Sequence, residues 1–150
     1  MRRSEFKCCV GVLLIVVISF GLLSCNKKKG EAPAAAPILQ SKYIKLEKAQ
    51  FAPGDNINIT FNVPESARES GWIGIIPSRI EHGSEKINDD HDIVFHLLKN
   101  SKPTDTYTFP APEMAGEYDI RINDSDSDGK EIDSISFKVV LPATTTPAPK

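Results

Sequence analysis

Residues 123–133 run Asn-Asp-Ser-Asp-Ser-Asp-Gly-Lys-Glu-Ile-Asp, and aspartates at alternate positions followed by glycine are the groups a hard cation takes. Asp124, Asp126 and Asp128, with Gly129 behind them, have the spacing of the first half of an EF-hand-type calcium loop. There, alternate carboxylates turn inward and a glycine makes the sharp turn. The second half does not follow: position twelve, counted from Asp124, is Ile135 where a bidentate Glu belongs, and no flanking helices are predicted. Calcium takes six to eight oxygens, so a site would have to borrow ligands from Asp133, a backbone carbonyl or a neighbouring loop. Two expectations stand: a calcium site at Asp124, Asp126, Asp128 and Asp133, or a solvated hairpin loop, which is the default for such a stretch.

A second polar cluster, Glu81-His82-Gly83-Ser84-Glu85 and Asn88-Asp89-Asp90-His91-Asp92, holds residue types zinc accepts, but no fixed spacing puts two of them on one face. It is expected to be a polar loop with exposed histidines. His96, among apolar neighbours, is expected to be a satisfied strand residue. No Gly-x-Ser-x-Gly elbow, triad spacing or phosphate-cradling glycine loop occurs, so no enzyme is expected. Apart from calcium at the aspartate loop, no cofactor is expected.

The remaining reactive group is a thiol. Arg2, Arg3 and Lys7 precede an apolar run from Cys8 to Leu23, a charged segment and a hydrophobic segment in the order of an export signal. The run is shorter than the ~20 residues of a comfortable spanning helix and ends in small and polar residues, which favours cleavage. Its end, Leu22-Leu23-Ser24-Cys25, resembles the lipobox of bacterial lipoproteins. That resemblance implies a signal peptide over residues 1–24, a diacylglycerol on Cys25 and an acylated amine, hence a stable membrane anchor. It further implies a place in the cell envelope. Asn26, rather than Asp, after the cysteine resembles outer-membrane sorting in enteric bacteria.

Of the three cysteines, Cys8 and Cys9 would leave with the signal, so the mature domain would hold neither a free thiol nor a disulfide. Cleavage would also remove Arg2, Arg3, Lys7 and Glu5, making the chain more acidic than its formal −2. A mildly acidic exported domain is a poor partner for nucleic acid. After Cys25, residues 26–42 are polar and Pro/Ala-rich and read as a flexible tether, and residues 142–150 as a disordered tail.

Residues 43–141 are one domain's worth of chain. Short runs rich in β-branched and aromatic residues recur there between turn-forming clusters: Tyr43–Lys48, Asn56–Val63, Gly71–Pro77, His91–Leu98, Thr106–Phe109, Glu117–Asn123 and Ser134–Leu141. Ile57, Ile59, Phe61 and Val63 alternate with polar residues, as do Tyr118, Ile120 and Ile122, while no helical period competes. About seven strands at this spacing is the pattern of an all-β, immunoglobulin-like sandwich.

Trp72 and Tyr118 resemble the strand-C tryptophan and the tyrosine corner of immunoglobulin and fibronectin type III domains, without the cysteine pair of antibodies. Trp72-Ile73-Gly74-Ile75-Ile76-Pro77, with Phe109-Pro110-Ala111-Pro112 and Gly116-Glu117-Tyr118-Asp119, is similar to a family of exported bacterial immunoglobulin-like domains. Neither resemblance implies an activity.

The third run is apolar at both parities. If Trp72 and Ile76 face the core, Ile73 and Ile75 face outward, either as a contact surface for a partner or second copy, or as a strand face shielded by the long connection that follows. The expected function is a membrane-anchored, non-catalytic binding or structural module that meets an envelope protein or glycan. The alternative is a calcium-dependent adhesion or sensing module built on the Asp124–Asp128 loop.

Overall fold

A computed structural model describes residues 38–143. The expected signal peptide, Cys25, the tether as far as residue 37 and the tail from residue 144 lie outside the described residues. Two β-sheets face each other. In chain order the elements are β1 (Leu39–Gln40), β2 (Ile44–Leu46), β3 (Gln50–Phe51), β4 (Asn56–Asn62), α1 (Glu65–Ser70), β5 (Trp72–Pro77), α2 (Glu85–Asp89), β6 (Val94–Leu97), β7 (Thr104–Pro110), β8 (Gly116–Asn123) and β9 (Glu131–Val139). One sheet has the order β1-β2-β4-β7 and the other β3-β9-β8-β5-β6. Neighbours are antiparallel except β3, which runs parallel to β9.

Each of the seven expected runs overlaps a strand. Period-2 patterning is the cause: in β4, Ile57, Ile59 and Phe61 are buried between the sheets while Asn56, Asn58 and Asn62 face water. On the opposing sheet Tyr118, Ile120 and Ile122 of β8 lie beside Ile135, Phe137 and Val139 of β9 and face the same core. The Tyr118 hydroxyl donates to the Met114 carbonyl at 2.8 Å, satisfying the polar tip of a half-core side chain. At the turn into β4, Gly54 takes a φ of +74°, which suits glycine, and Asp55 closes the turn by accepting from the Ala52 N–H at 3.0 Å.

Four expectations need correction. Leu39–Gln40 pairs with Leu46 and Lys45, so chain assigned to the tether belongs to the sheet. Gln50–Phe51 forms a further short strand, with Phe51 edge-on to Phe137 at 5.6 Å. Two helical turns occur where no helix was expected, since five or six residues are too few to set up a helical period. Finally, the parity of β5 is the reverse of that expected: Ile73 and Ile75, each 0% exposed, join the inter-sheet core, while Trp72 and Ile76 lie on the outer face. Ile73 and Ile75 are therefore no contact surface. Trp72 departs in the same way from the core position of the strand-C tryptophan it resembles.

Candidate functional site

The outer face of the five-stranded sheet carries the polar alternates of β8 and β9. Register puts Asp119 of β8 beside Ile76 and Ser136, Arg121 beside Gly74 and Ser134, and Asn123 beside Trp72 and Glu131. Such a row would normally face water. Here the connection 78–93, which contains α2, lies over it, and Arg121 is 0% exposed.

That burial is tolerated because every donor direction is met. Arg121 donates from Nη2 to Asp119 Oδ2 at 2.7 Å and to the Ile80 carbonyl at 2.8 Å. From Nη1 it donates to Asn88 Oδ1 at 2.8 Å and to the Glu81 carbonyl at 3.0 Å. Two of these acceptors are backbone carbonyls of the covering connection, so the guanidinium staples that segment to the sheet. Burial by itself would raise the Asp119 carboxyl, but hydrogen bonds from Arg121, Ser78 and Ser136 outweigh it and hold the group below the ordinary 3.8.

His82 closes the rim of this network. Its Nδ1 lies 2.7 Å from Glu131 Oε1, and since a carboxylate accepts, Nδ1 carries the proton; Nε2 lies 3.3 Å from Asp119 Oδ2. Asn88 donates to Asn123 Oδ1 at 2.9 Å, and the Trp72 indole N–H donates to the buried Glu85 at 3.3 Å. The Glu81–Asp92 cluster is thus split. His82 turns in to the sheet, whereas His91 contacts the Ile87 carbonyl at 2.9 Å on the exposed side of α2.

The four calcium candidates are not brought together. Asp133, near the start of β9, is turned to the inner face of the sheet with Ile122, where Oδ2 accepts from Ser41 Oγ and the Tyr43 N–H of the facing sheet, both at 2.6 Å. Asp124 Oδ1 accepts from the Lys130 N–H at 2.7 Å and closes the hairpin loop, while Asp126 and Asp128 point to water. Among the described residues no three His, Cys, Asp or Glu side chains converge where a metal ion could sit. The aspartates were spaced for a calcium loop, but the hairpin uses one of them as a turn closure and β9 carries another away.

Beyond the covering connection no described residue covers the outer face. Ile93, Phe95 and Leu97, along the edge strand β6, are 48, 49 and 43% exposed and project on one side of the sheet. Phe95 packs against Trp72 with ring centroids 6.0 Å apart, so the stripe is backed by a buried aromatic. Gly74 lies between them, and a Cβ there would come within 2.8 Å of Trp72 and 2.9 Å of the Val94 carbonyl. On the inner side His96, a strand residue as expected, stacks on Tyr107 of β7 at 3.9 Å.

β6 also has open backbone. The Leu98 N–H donates to the Gly71 carbonyl at 2.9 Å, which sets the antiparallel alternation: His96 and Leu98 aim at β5, and Phe95 and Leu97 aim their N–H and C=O groups away from it. The other edges are guarded. β1 and β3 are two residues long, and β7 presents exposed threonines, an inward Asp105 and Pro110. Concavities of 170 and 200 Å³ elsewhere, and one of 250 Å³ beside Leu97, fall below the roughly 300–1,000 Å³ of small-molecule pockets. Sequence reasoning missed this site because Ile93, Phe95 and Leu97 are interleaved with Val94, His96 and Leu98, so neither parity of the run marks itself as the outer one.

No protein-family model matches the chain, and no curated protein matches it. Among solved structures it is similar to the PmoD soluble domain from Methylocystis sp. (Rockwell), with 14% identity over 70% of this chain and 98% of that one and a TM-score of 0.45. At that identity the likeness concerns the two-sheet fold alone.

Proposed function

We propose that the protein is a lipid-anchored lipoprotein of the bacterial envelope whose immunoglobulin-like domain is a non-catalytic binding module, docking an envelope protein through the open edge of β6. The observation that carries the binding half is the coincidence, on one short strand, of outward backbone groups at Phe95 and Leu97 with a half-exposed apolar stripe. A polypeptide strand satisfies both at once, as in β-augmentation. A glycan does not need an open strand edge.

The immunoglobulin-like assignment is supported by sheet order. β2-β4-β7 against β9-β8-β5-β6 has the arrangement of strands A-B-E against G-F-C-C′, and the Tyr118 bond to Met114 has the form of a tyrosine corner. The anchor rests on Leu22-Leu23-Ser24-Cys25. Site-specific photo-crosslinking in intact cells tests the docking half: a residue at position 95 is expected to give protein adducts, and one at position 108, on the guarded β7 edge, none. Equal adducts from both positions, or none from 95, would refute it. For the anchor, Cys25→Ala is expected to abolish acyl labelling and membrane fractionation, and a variant that kept both would end that part of the reading.

A further inference from the structure

The edge of β6 is self-complementary. Before the strand stand Asp89, Asp90 and Asp92, and after it Lys99 and Lys102, with only apolar residues and His96 between. Two β6 strands laid antiparallel bring the acidic end of each copy toward the basic end of the other, at both ends of the contact. With a two-fold axis at His96, Phe95 of one copy faces Leu97 of the other, and their outward N–H and C=O groups form four backbone hydrogen bonds. The stripes then join on the outer face, adding cross-strand apolar contact to the ladder.

The charges are free for this use. Asp89, Asp90, Lys99 and Lys102 are exposed, and none of the described ion pairs involves Asp89, Lys99 or Lys102. Asp90 holds an exposed pair with Lys86 at 3.3 Å, a contact of little strength. Asp92 is raised by partial burial and by the Asp89 charge beside it, so an outside cation would relieve it.

We infer that the docking edge takes a second copy of this chain, pairing β6 with β6 antiparallel so that the two five-stranded sheets become one. This deepens the proposed docking function and rests on it. One four-residue strand buries less than the ~1,200 Å² of standard interfaces, so the pair is weak in dilute solution. Confinement of anchored copies to one membrane surface raises their effective concentration.

The test uses charge reversal in the full chain, with circular dichroism to confirm folding. An acid-reversed variant carries Asp89→Lys and Asp90→Lys, and a base-reversed variant carries Lys99→Glu and Lys102→Glu. Each alone is expected to lose self-association by about tenfold or more, because like charges then meet at both ends. Mixed, they are expected to pair at least as well as the native chain, and a zero-length carboxylate–amine crosslinker on the native protein should join 89–92 of one copy to 99–102 of the other. Reversed variants that still self-associate, or a mixture that does not pair, would overturn the inference. If native copies do not cross-link but position 95 captures a different protein, the second copy is refuted and the docking edge survives. If position 95 captures nothing, both fall.

Discussion

Arg121 reaches Asp119 with two hydrogen bonds onto one carboxylate oxygen, 2.7 Å from Nη2 and 3.3 Å from Nε, and both side chains are buried on the outer face of the five-stranded sheet. The remaining guanidinium donors hold the Ile80 and Glu81 carbonyls and Asn88 Oδ1, all in the covering connection. Stability of the sheet face and placement of residues 78–93 are therefore one problem.

Arg121→Met would leave the Asp119 charge buried without its partner. Loss of one member of such a pair costs roughly 3–5 kcal/mol. Chemical denaturation is expected to show a loss of that size, and hydrogen exchange to show early opening of residues 80–88. Arg121→Lys should fail as well, since an ammonium cannot reach four acceptors in a planar fork. A loss under about 1 kcal/mol would mean that the staple is unimportant.

The sign of the acid dependence follows from Asp119. Its pKa is lowered in the fold, so its contribution is fully present above the ordinary 3.8 and is lost as pH falls below that value toward the lowered one. Melting temperature against pH should therefore drop below about pH 4, and Asp119→Asn should be less stable at neutral pH with a flatter acid limb.

For the aspartate loop, calcium against chelator is expected to leave the melting temperature unmoved. Three of its candidate residues should separate by role. Asp126→Ala should lie within about 0.5 kcal/mol of the native chain, and Asp124→Ala, which frees the Lys130 N–H, should cost about 1 kcal/mol. Asp133→Ala removes two charge-assisted bonds to Ser41 and Tyr43 and should cost about 2–3 kcal/mol. A calcium-dependent rise in melting temperature would revive the metal reading.

Tyr118→Phe keeps the stack on Phe137 and loses the bond to Met114, and is expected to cost about 1 kcal/mol. Phe95→Lys, on a half-exposed position, should change stability by less than this. It should shift the emission of Trp72, the single tryptophan, and abolish docking. If Phe95→Lys unfolded the domain, the stripe would be part of the core and not a surface.

What the amino-acid sequence determined by itself was the set of strands and most of the core. In β4, β8 and β9 one parity is apolar and the other polar, and a strand has one way to bury such a pattern. The turn at Pro53-Gly54-Asp55 is set by equally local chemistry, since proline, glycine and aspartate each suit a turn position. The facing of β5 was decided only by the tertiary structure. With Trp72, Ile73, Ile75 and Ile76 apolar on both parities, burial favours neither side, and the indole N–H decides. It needs an acceptor, and Glu85 supplies one on the outer face, thirteen residues away on a five-residue helix too short to announce itself. The row Asp119, Arg121, Asn123 shows the converse. Its alternation has the form of a solvent face, and only the return of residues 78–93 over it buries those side chains, meeting every donor of Arg121 while Asn123 Nδ2 stays without a partner, and among the described residues leaves β6 as the edge still open.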